Sequence, residues 1–154
     1  MATGMYYEEF IVGDTVEHPL RRTVTEADNT WFSALTMNPQ PLHMDEEFAK
    51  TSSFGQRIVN SIFTLGLITG MTVYDMTLGT TLGNLGFTEI NFPRPVFHGD
   101  TLRSRTTVIS KRESKSNPAA GIVTARHEGL NQRDEIVCDC VRVFLMQRRP
   151  ANGE

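Results

Sequence analysis

Cysteine is scarce in this chain of 154 residues. Only Cys138 and Cys140 occur, and they stand two apart in a strand-like run. Side chains two apart in a strand point to the same face, so this pair cannot easily close a disulfide. A metal site needs more ligands than two thiols, and no His or Cys companion lies nearby in the sequence. We therefore expect plain thiols, no bound metal and a reducing, cytoplasmic location.

Long hydrophobic runs and an excess of positive charge are also lacking. The longest apolar-leaning stretch, residues 58–71, is interrupted by polar residues and glycines and falls short of the roughly 18 to 20 residues of a membrane span. The first ten residues lack the basic residues and the apolar run of a signal peptide. Lys and Arg total 15 against 18 Asp and Glu, for a net charge of -3. These absences predict neither membrane insertion nor export, and they argue against a general nucleic-acid binder.

The length and composition are those of one soluble globular domain. Hydrophobic residues make up 39% of the chain and charged residues 21%, which is ordinary for such a domain. No repeat, low-complexity tract or linker divides the sequence. We expect a single domain over residues 1–154, in which only the ends, residues 1–6 and 150–154, are expendable.

The first part of the chain carries one strand and one helix signal. Residues 15–24 are typical of a strand, and Pro19 marks an edge or a bulge in its middle. The spacing of Thr25 and Asp28 is typical of a capping box, which predicts a helix over residues 26–35.

The next part combines prolines with acids. Pro39 and Pro41 predict an ordered, non-helical loop over residues 37–43. Acids in the first turn then favour a short helix over residues 45–50, because the helix dipole is positive at that end.

A long apolar helix followed by strands completes the chain. Residues 58–74 carry apolar residues at helical spacing and are apolar nearly all round. Beyond them apolar residues alternate, which predicts strands over residues 85–92, 102–109, 122–130 and 136–146. The connectors are short and rich in turn residues, so an antiparallel meander is favoured.

This order of elements predicts an α+β fold in which one antiparallel sheet wraps around one long central helix. Such a sheet covers only part of the helix and leaves its edge strands bare. We expect a homodimer, or a multiple of dimers, that joins the two sheets.

The most informative stretch lies between residues 35 and 61. It contains Asn38-Pro39-Gln40-Pro41-Leu42-His43, a short helix signal, Phe54, and then Ile58-Val59-Asn60-Ser61. This stretch resembles the motif of the MaoC-like (R)-specific enoyl-CoA hydratases and dehydratases. In that motif an Asp, any residue, Asn, Pro, an aliphatic residue and His precede a short helix, a Phe and an Ile-Ala-His-Gly helix start. The segment over residues 92–100 also resembles the family, and the resemblance, over roughly residues 8–148, implies a hot-dog fold.

Three positions depart from the family motif. Asn38 stands where the family has its catalytic Asp, Gln40 where it has Asn, and Asn60-Ser61 where it has His-Gly. An amide cannot exchange a proton at neutral pH, so the Asp/His pair of the family is reduced to His43. We expect Asn38, with Gln40, to hold the water or a polar substituent of the acyl chain.

The resemblance implies a catalytic base at His43 and an oxyanion hole at Ser61. Histidine is the side chain best suited to accept and return a proton near neutrality. The Ser61 backbone N–H, at the start of the long helix, would polarise the thioester carbonyl whatever its side chain. The alternatives are a His43 that bonds a local carbonyl, and an Asn60 or Ser61 that only caps the helix.

Further candidates rest on weaker signals. Thr69 falls where related hydratases carry a supporting hydroxyl, although a bond to its own i−4 carbonyl explains it equally well. Possible partners for the coenzyme A phosphates are Arg57, Arg94, Arg103, Arg105, Lys111 and Arg112. Possible replacements for the missing acid are Asp45 and Glu47, which are also ordinary helix-start acids, and Asp28 and Asp75, which no motif supports. The remaining histidines, His18, His98 and His127, are scattered and predict no metal site.

Together these features predict a hydratase/dehydratase that interconverts a 2-enoyl-CoA and a 3-hydroxyacyl-CoA. Coenzyme A enters as part of the substrate, and no nucleotide cofactor is expected because no glycine-rich phosphate loop occurs. Without the carboxylate at position 38 the pocket would admit a branched or dicarboxylic acyl group, since two negative charges are disfavoured in a desolvated site. The alternatives are a hot-dog acyl-CoA thioesterase and a non-catalytic acyl-CoA-binding protein, which Asn38 favours.

Overall fold

One five-stranded sheet and four α-helices make up the fold of this computed structural model, which describes residues 4–150. The strands are β1 Thr15–Thr23, β2 Thr81–Asn91, β3 Thr101–Glu113, β4 Ala120–Leu130 and β5 Ile136–Gln147. The α-helices are α1 Glu26–Leu35, α2 Pro41–Met44, α3 Glu46–Thr51 and α4 Ser61–Met71, supplemented by a 3-10 turn at Tyr7–Glu9 and a π-helical turn at Val73–Thr77. The strand order is β1-β3-β4-β5-β2, and every neighbouring pair is antiparallel. The predicted α+β architecture is confirmed.

Helix α4 packs one face against this sheet. Leu65, Ile68 and Met71 of α4 are buried in a cluster with Leu102 and Cys138 of the sheet. Fully burying each aliphatic side chain stabilises the fold by about 1.5–3 kcal/mol. Gly129 makes the close approach possible, because a Cβ at that position would lie 2.5 Å from Cγ1 of Ile68.

The opposite face of α4 is uncovered. The Ile62 side chain is 56% exposed, and Gly66 and Gly70 are also exposed. The apolar character that the sequence shows all round this helix is therefore used on one side only. The predicted homodimer, which would cover the other side, stays a prediction.

The expected loop over residues 37–43 is wrong at its end, because Pro41–Met44 forms the helical turn α2. Pro41 occupies the first helical position, where the missing N–H is not needed and the fixed φ suits a helix. Pro41, from which we predicted a non-helical loop, is therefore the first residue of a helix.

The long helix is shorter than the predicted span of residues 58–74. Asn60 caps α4, so the helix begins at Ser61, while Ile58 forms an isolated β-bridge with Phe97. At the other end α4 gives way after Met71 to the π-helical turn at Val73–Thr77.

The connection between β2 and β3 is not a meander turn. β2 lies at one edge of the sheet beside β5, whereas β3 lies between β1 and β4. Residues 92–100 must therefore cross the sheet, and the bridge between Phe97 and Ile58 ties them to the start of α4. This crossing segment supplies part of the lining of the candidate site.

Three smaller expectations can be compared with the structure. The pairing of β1 with β3 shifts between Glu17 and Arg21, which confirms the irregularity expected at Pro19. Of the N-terminal end that we expected to be expendable, Gly4 and Met5 hydrogen-bond to the backbone of Leu78 and Met76. Residues 1–3 and 151–154 lie outside the described residues. Within residues 4–150 no helix has both the length and the apolar character to cross a membrane.

Candidate active site

The start of α4 presents an unpaired backbone donor. The Asn60 side-chain oxygen accepts the Ile62 N–H at 3.0 Å and so caps the helix. Ser61 is the first helical residue, and within residues 4–150 its N–H meets no acceptor. The N-terminus of a helix carries a partial positive charge and favours anions. This amide is therefore suited to a developing negative charge.

His43 is oriented by a backbone carbonyl. Its Nδ1 lies 2.9 Å from the carbonyl oxygen of Ile58, which can only accept, so Nδ1 carries the proton and donates. In the neutral ring Nε2 then holds the lone pair. The side chain is half-buried, and its own N–H donates to the Gln40 carbonyl at 3.0 Å. The alternative that His43 bonds a local carbonyl is therefore observed. This bond leaves Nε2 available, and the role of His43 as a base stays a prediction.

Asn38 and Gln40 fix the loop that carries His43. The Asn38 N–H donates to the Ser33 carbonyl at 2.9 Å, and Met37, with φ 54°, ends α1 in the left-handed conformation. The Asn38 side-chain oxygen then accepts the Gln40 N–H at 3.1 Å, and Gln40 precedes α2. Asn38 also lines a separate shallow groove with Met37 and Met44. Its visible contacts thus position the loop.

Asn29 is the residue that the sequence analysis missed. It is fully buried on α1, and its side-chain amide donates to the carbonyls of His43 and Ile58 at 3.3 and 3.1 Å and faces His98 Nε2 at 3.0 Å. Its oxygen accepts the Asn60 N–H at 2.9 Å. One side chain therefore joins α1, the His43 loop, the cap of α4 and the segment before β3. The available signal was an asparagine inside a helix, where its intrinsic propensity is poor.

His98 lies on the far side of Asn29 and is held neutral. Burial lowers the pKa of His98, and the nearby positive charge of Arg57 lowers it further. A neutral Nε2 accepts the Asn29 amide proton, which fixes the amide's orientation. Of the three scattered histidines, His98 thus lies at this site, on the same Asn29 side chain that bonds the His43 carbonyl. The described residues hold no cluster of metal-ligating side chains.

A mostly apolar cavity of about 260 Å³ opens beside the start of α4. The cavity is lined by residues that include Phe54, Ile58, Ser61, Thr64, Phe92 and Arg94. Ile58 both lines the cavity and holds His43 through its carbonyl. Ser61 thus lines the cavity itself, whereas His43 is not part of the lining and is linked to it through the Ile58 carbonyl.

Thr69 and Arg57, which were predicted to bind substrate, form hydrogen bonds within the protein. The Thr69 hydroxyl donates to the Leu65 carbonyl one turn earlier in α4, which is the alternative that the sequence left open. The Arg57 guanidinium donates to Glu46 at 2.7 Å and to Glu26 at 2.5 Å. These partners favour structural roles, and the binding of substrate by Thr69 or Arg57 stays a prediction.

The acids and the other cations also have partners. Asp45 caps α3, Glu47 pairs with Lys50, and Asp28 closes the capping box of α1. Asp75 pairs with His18. Arg103 and Arg105 are held by carboxylates of Glu17, Asp134 and Glu128, and Lys111 stacks over the Tyr7 ring. These contacts place none of the four acids beside His43.

Comparison with known proteins identifies the family of this domain. Residues 9–130 match the MaoC like domain family. A mesaconyl-CoA hydratase from Cereibacter sphaeroides is 36% identical over 146 residues, which cover 95% of this chain but 42% of that protein. An (R)-specific enoyl-CoA hydratase from Rhodospirillum rubrum is 32% identical over 107 residues, which cover 67% of this chain and 69% of that protein. The chain thus spans less than half of the first relative.

The fold has a matching solved structure. A Mycobacterium tuberculosis protein described as a double hotdog fold superposes with a TM-score of 0.86 over 97% of this chain and 46% of its own length, at 18% identity. That likeness bears on fold alone, and it confirms the expected hot-dog arrangement. With a five-stranded antiparallel sheet wrapped around α4 and with residues 9–130 matching the family pattern, the chain belongs to the MaoC-like domain family.

Proposed function

We propose that this chain catalyses the reversible hydration of a 2-enoyl-CoA to a 3-hydroxyacyl-CoA. The observation that carries the proposal is a mostly apolar cavity lined by Ser61, whose helix-start N–H is unpaired, and by Ile58, whose carbonyl orients His43 and leaves its Nε2 free. The family relatives support it, because their names describe hydratases of acyl-CoA thioesters.

The steps follow from the placement of these groups. The thioester oxygen accepts the Ser61 N–H, which stabilises the enolate that forms when water adds at C3. His43 Nε2 removes the proton from that water and then returns it at C2. The carbonyl of Ile58 keeps the imidazole aimed throughout, since it holds the Nδ1 proton. A single base thus performs both proton transfers, and the net reaction consumes one water and no cofactor.

Asn38 has a positioning role in this proposal. Its side chain closes the turn before α2, and α2 carries His43. Asn38 and Gln40 can hold the reacting water only if the loop brings their side-chain amides to the cavity mouth. We propose that the positioning of the His43 loop by Asn38 is the reason that an amide can stand at position 38 in an active hydratase.

The expectation that position 38, without a carboxylate, suits an acyl group with its own charge stays a prediction, because Asn38 lines a groove separate from the cavity. The names of the relatives support a charged acyl group independently. The Cereibacter relative is named for mesaconyl-CoA, and a Chloroflexus aurantiacus relative, 30% identical over 150 residues, is named a beta-methylmalyl-CoA dehydratase. Both names describe branched dicarboxylic acyl groups, so we propose that substrate class for this chain.

One assay separates hydration from its two alternatives. Purified protein is incubated with short enoyl-CoAs, and the enoyl absorbance and the free thiol are followed together. Hydration removes the absorbance without releasing thiol, a thioesterase releases thiol, and a binding protein does neither. The expected result is loss of absorbance alone, and release of thiol at the same rate would contradict the proposal.

A further inference from the structure

Arg94 stands at the rim of the candidate cavity on a stiff segment. It lies between Pro93 and Pro95, and all three residues line the cavity together with Ser61. Prolines fix the backbone φ on both sides, so the position of Arg94 is set by the segment that crosses the sheet. The side chain is 52% exposed.

The charge of Arg94 is only weakly compensated. Its Nε lies 3.5 Å from Oε1 of Glu135, beyond the usual length of a charged hydrogen bond. The other oxygen of Glu135 already accepts the Asn131 amide at 2.8 Å and the Arg133 Nε at 2.9 Å. Glu135 therefore shares its negative charge between Arg133 and Arg94, and it holds Arg133 more closely.

Other arginines of the described chain are held far more tightly. Arg57, Arg103 and Arg126 each make ion pairs with two carboxylates at 3.1 Å or less. A guanidinium presents a planar fork of donors that fits a carboxylate. Arg94 keeps most of that fork for a ligand.

The remaining lining shows which ligand group fits. Arg94 is the one charged residue in the lining of this cavity, as far as residues 4–150 show, and the rest is mostly apolar. An acyl group whose thioester oxygen meets the Ser61 amide would extend within this same small cavity. A carboxylate on that acyl group would be unfavourable against the apolar walls but favourable against the Arg94 fork.

We propose that Arg94 binds the free carboxylate of the acyl group and thereby selects dicarboxylic over plain enoyl-CoA substrates. This inference rests on the proposed hydratase function. It differs from a contact to the coenzyme A phosphates, because the phosphates are common to all CoA thioesters and cannot produce selectivity among acyl groups.

The proposed role of Arg94 is tested with two thioesters that differ only at the end of the acyl group away from the thioester. Fumaryl-CoA carries a carboxylate where crotonyl-CoA carries a methyl group. We expect Arg94→Gln to lower kcat/KM for fumaryl-CoA by about 30-fold, the loss typical of one charged hydrogen-bonded contact. The kcat/KM for crotonyl-CoA should change by less than about threefold. Arg94→Lys should recover part of the loss, because the charge remains and the fork does not.

Arg21→Gln is the matched control. Arg21 is also exposed, but it lies on β1, does not share Glu135 with Arg94 and is not part of the cavity lining. It should leave the ratio of the two kcat/KM values unchanged. An equal loss on both thioesters in Arg94→Gln would mean phosphate binding and would overturn the proposal, as would no loss on either.

A binding measurement separates this inference from the hydratase proposal. Succinyl-CoA and butyryl-CoA are the saturated counterparts, and calorimetry gives their affinities without any reaction. If the protein hydrates neither enoyl-CoA but prefers succinyl-CoA, and Arg94→Gln removes that preference, the hydratase proposal fails and the Arg94 assignment stands. If hydration occurs and the wild type shows no preference for succinyl-CoA or fumaryl-CoA, the Arg94 assignment fails alone.

Discussion

At the scale of single residues, Asn29 determines how the site is assembled. Its amide joins α1 to three other segments, and it is fully buried. Leaving buried donors or acceptors unpaired costs about 1–3 kcal/mol for each group. The orientation of His43 and the cap of α4 therefore depend on a residue that touches no part of the proposed substrate.

Asn29→Ala is expected to lower the free energy of unfolding by about 2 kcal/mol and to reduce kcat. The Asn60 N–H and the His43 carbonyl would lose their partner and the Ile58 carbonyl one of its two donors, so the link between α1, the His43 loop and the start of α4 would weaken. Ser33→Ala is the matched control. Ser33 is buried one turn later on α1, and its hydroxyl has no partner among residues 4–150. Denaturant unfolding and steady-state kinetics of both variants measure the difference, and equal effects would contradict the role of Asn29.

At the scale of elements, a polar chain runs across the buried face of the sheet. Asp75 accepts from His18 Nδ1 at 2.9 Å, His18 Nε2 contacts the Thr106 hydroxyl at 2.7 Å, and that hydroxyl contacts His127 Nδ1 at 2.8 Å. His127 Nε2 is buried and has no partner within the described part of the chain. Burial lowers the pKa of His127 to about 3, and the positive charge of Arg142 contributes.

Because His127 is buried and neutral, we expect the protein to lose stability in mild acid. Unfolded His127 gains its proton near the ordinary histidine pKa of about 6.5, whereas folded His127 stays neutral down to about 3. The unfolded state binds more protons between these values, so the free energy of unfolding falls as pH falls through that window. The slope from this group is at most about 1.4 kcal/mol per pH unit.

His127→Gln removes the titrating ring and keeps a side chain that can bond Thr106. The variant should show a flatter dependence of the free energy of unfolding on pH between 6.5 and 3, measured by urea denaturation at each pH. Identical slopes in the variant and the wild type would show that His127 is not the group responsible.

Regular elements followed from the sequence more readily than contacts between them. The Thr25 capping box gives α1 its start, and the predicted bounds of residues 26–35 are confirmed. The proline at position 41 misled because its effect depends on whether it enters or interrupts a helix. Asn29 and the His18–Thr106–His127 chain depend on which residues meet across α1, β1, β3 and β4. That information lies in strand register and packing, and periodicity alone does not contain it.

At the scale of the whole molecule, the two edges of the sheet differ. The β1 edge is interrupted at Pro19 and carries the charged residues Glu17, Arg21 and Arg22, which are typical devices against edge pairing. The β2 edge instead exposes Leu82 and Leu85, at 45% and 54%. If the predicted homodimer forms, β2 is the edge that we expect to join two sheets.

Light scattering at micromolar concentration should therefore report about twice the chain mass of 17.3 kDa, or a multiple of it. Leu85→Lys should shift the protein towards monomer, because it places like charges at the joined edge. Leu20→Lys on β1, a leucine 48% exposed, should leave the mass unchanged. A stable wild-type monomer, or equal effects of the two substitutions, would contradict dimerisation through β2.

The rate at which the His43→Ala variant hydrates an enoyl-CoA tests most directly whether His43 is the catalytic base. Loss of one general base typically costs about 10²–10⁴ in rate, so kcat on fumaryl-CoA or crotonyl-CoA should fall by at least about a hundredfold. Thermal unfolding and calorimetric binding of succinyl-CoA should stay close to the wild type, because the ring's one hydrogen bond to the Ile58 carbonyl is half-buried. If folded His43→Ala hydrates enoyl-CoA at the wild-type rate, His43 is not the base and the proposed mechanism is wrong.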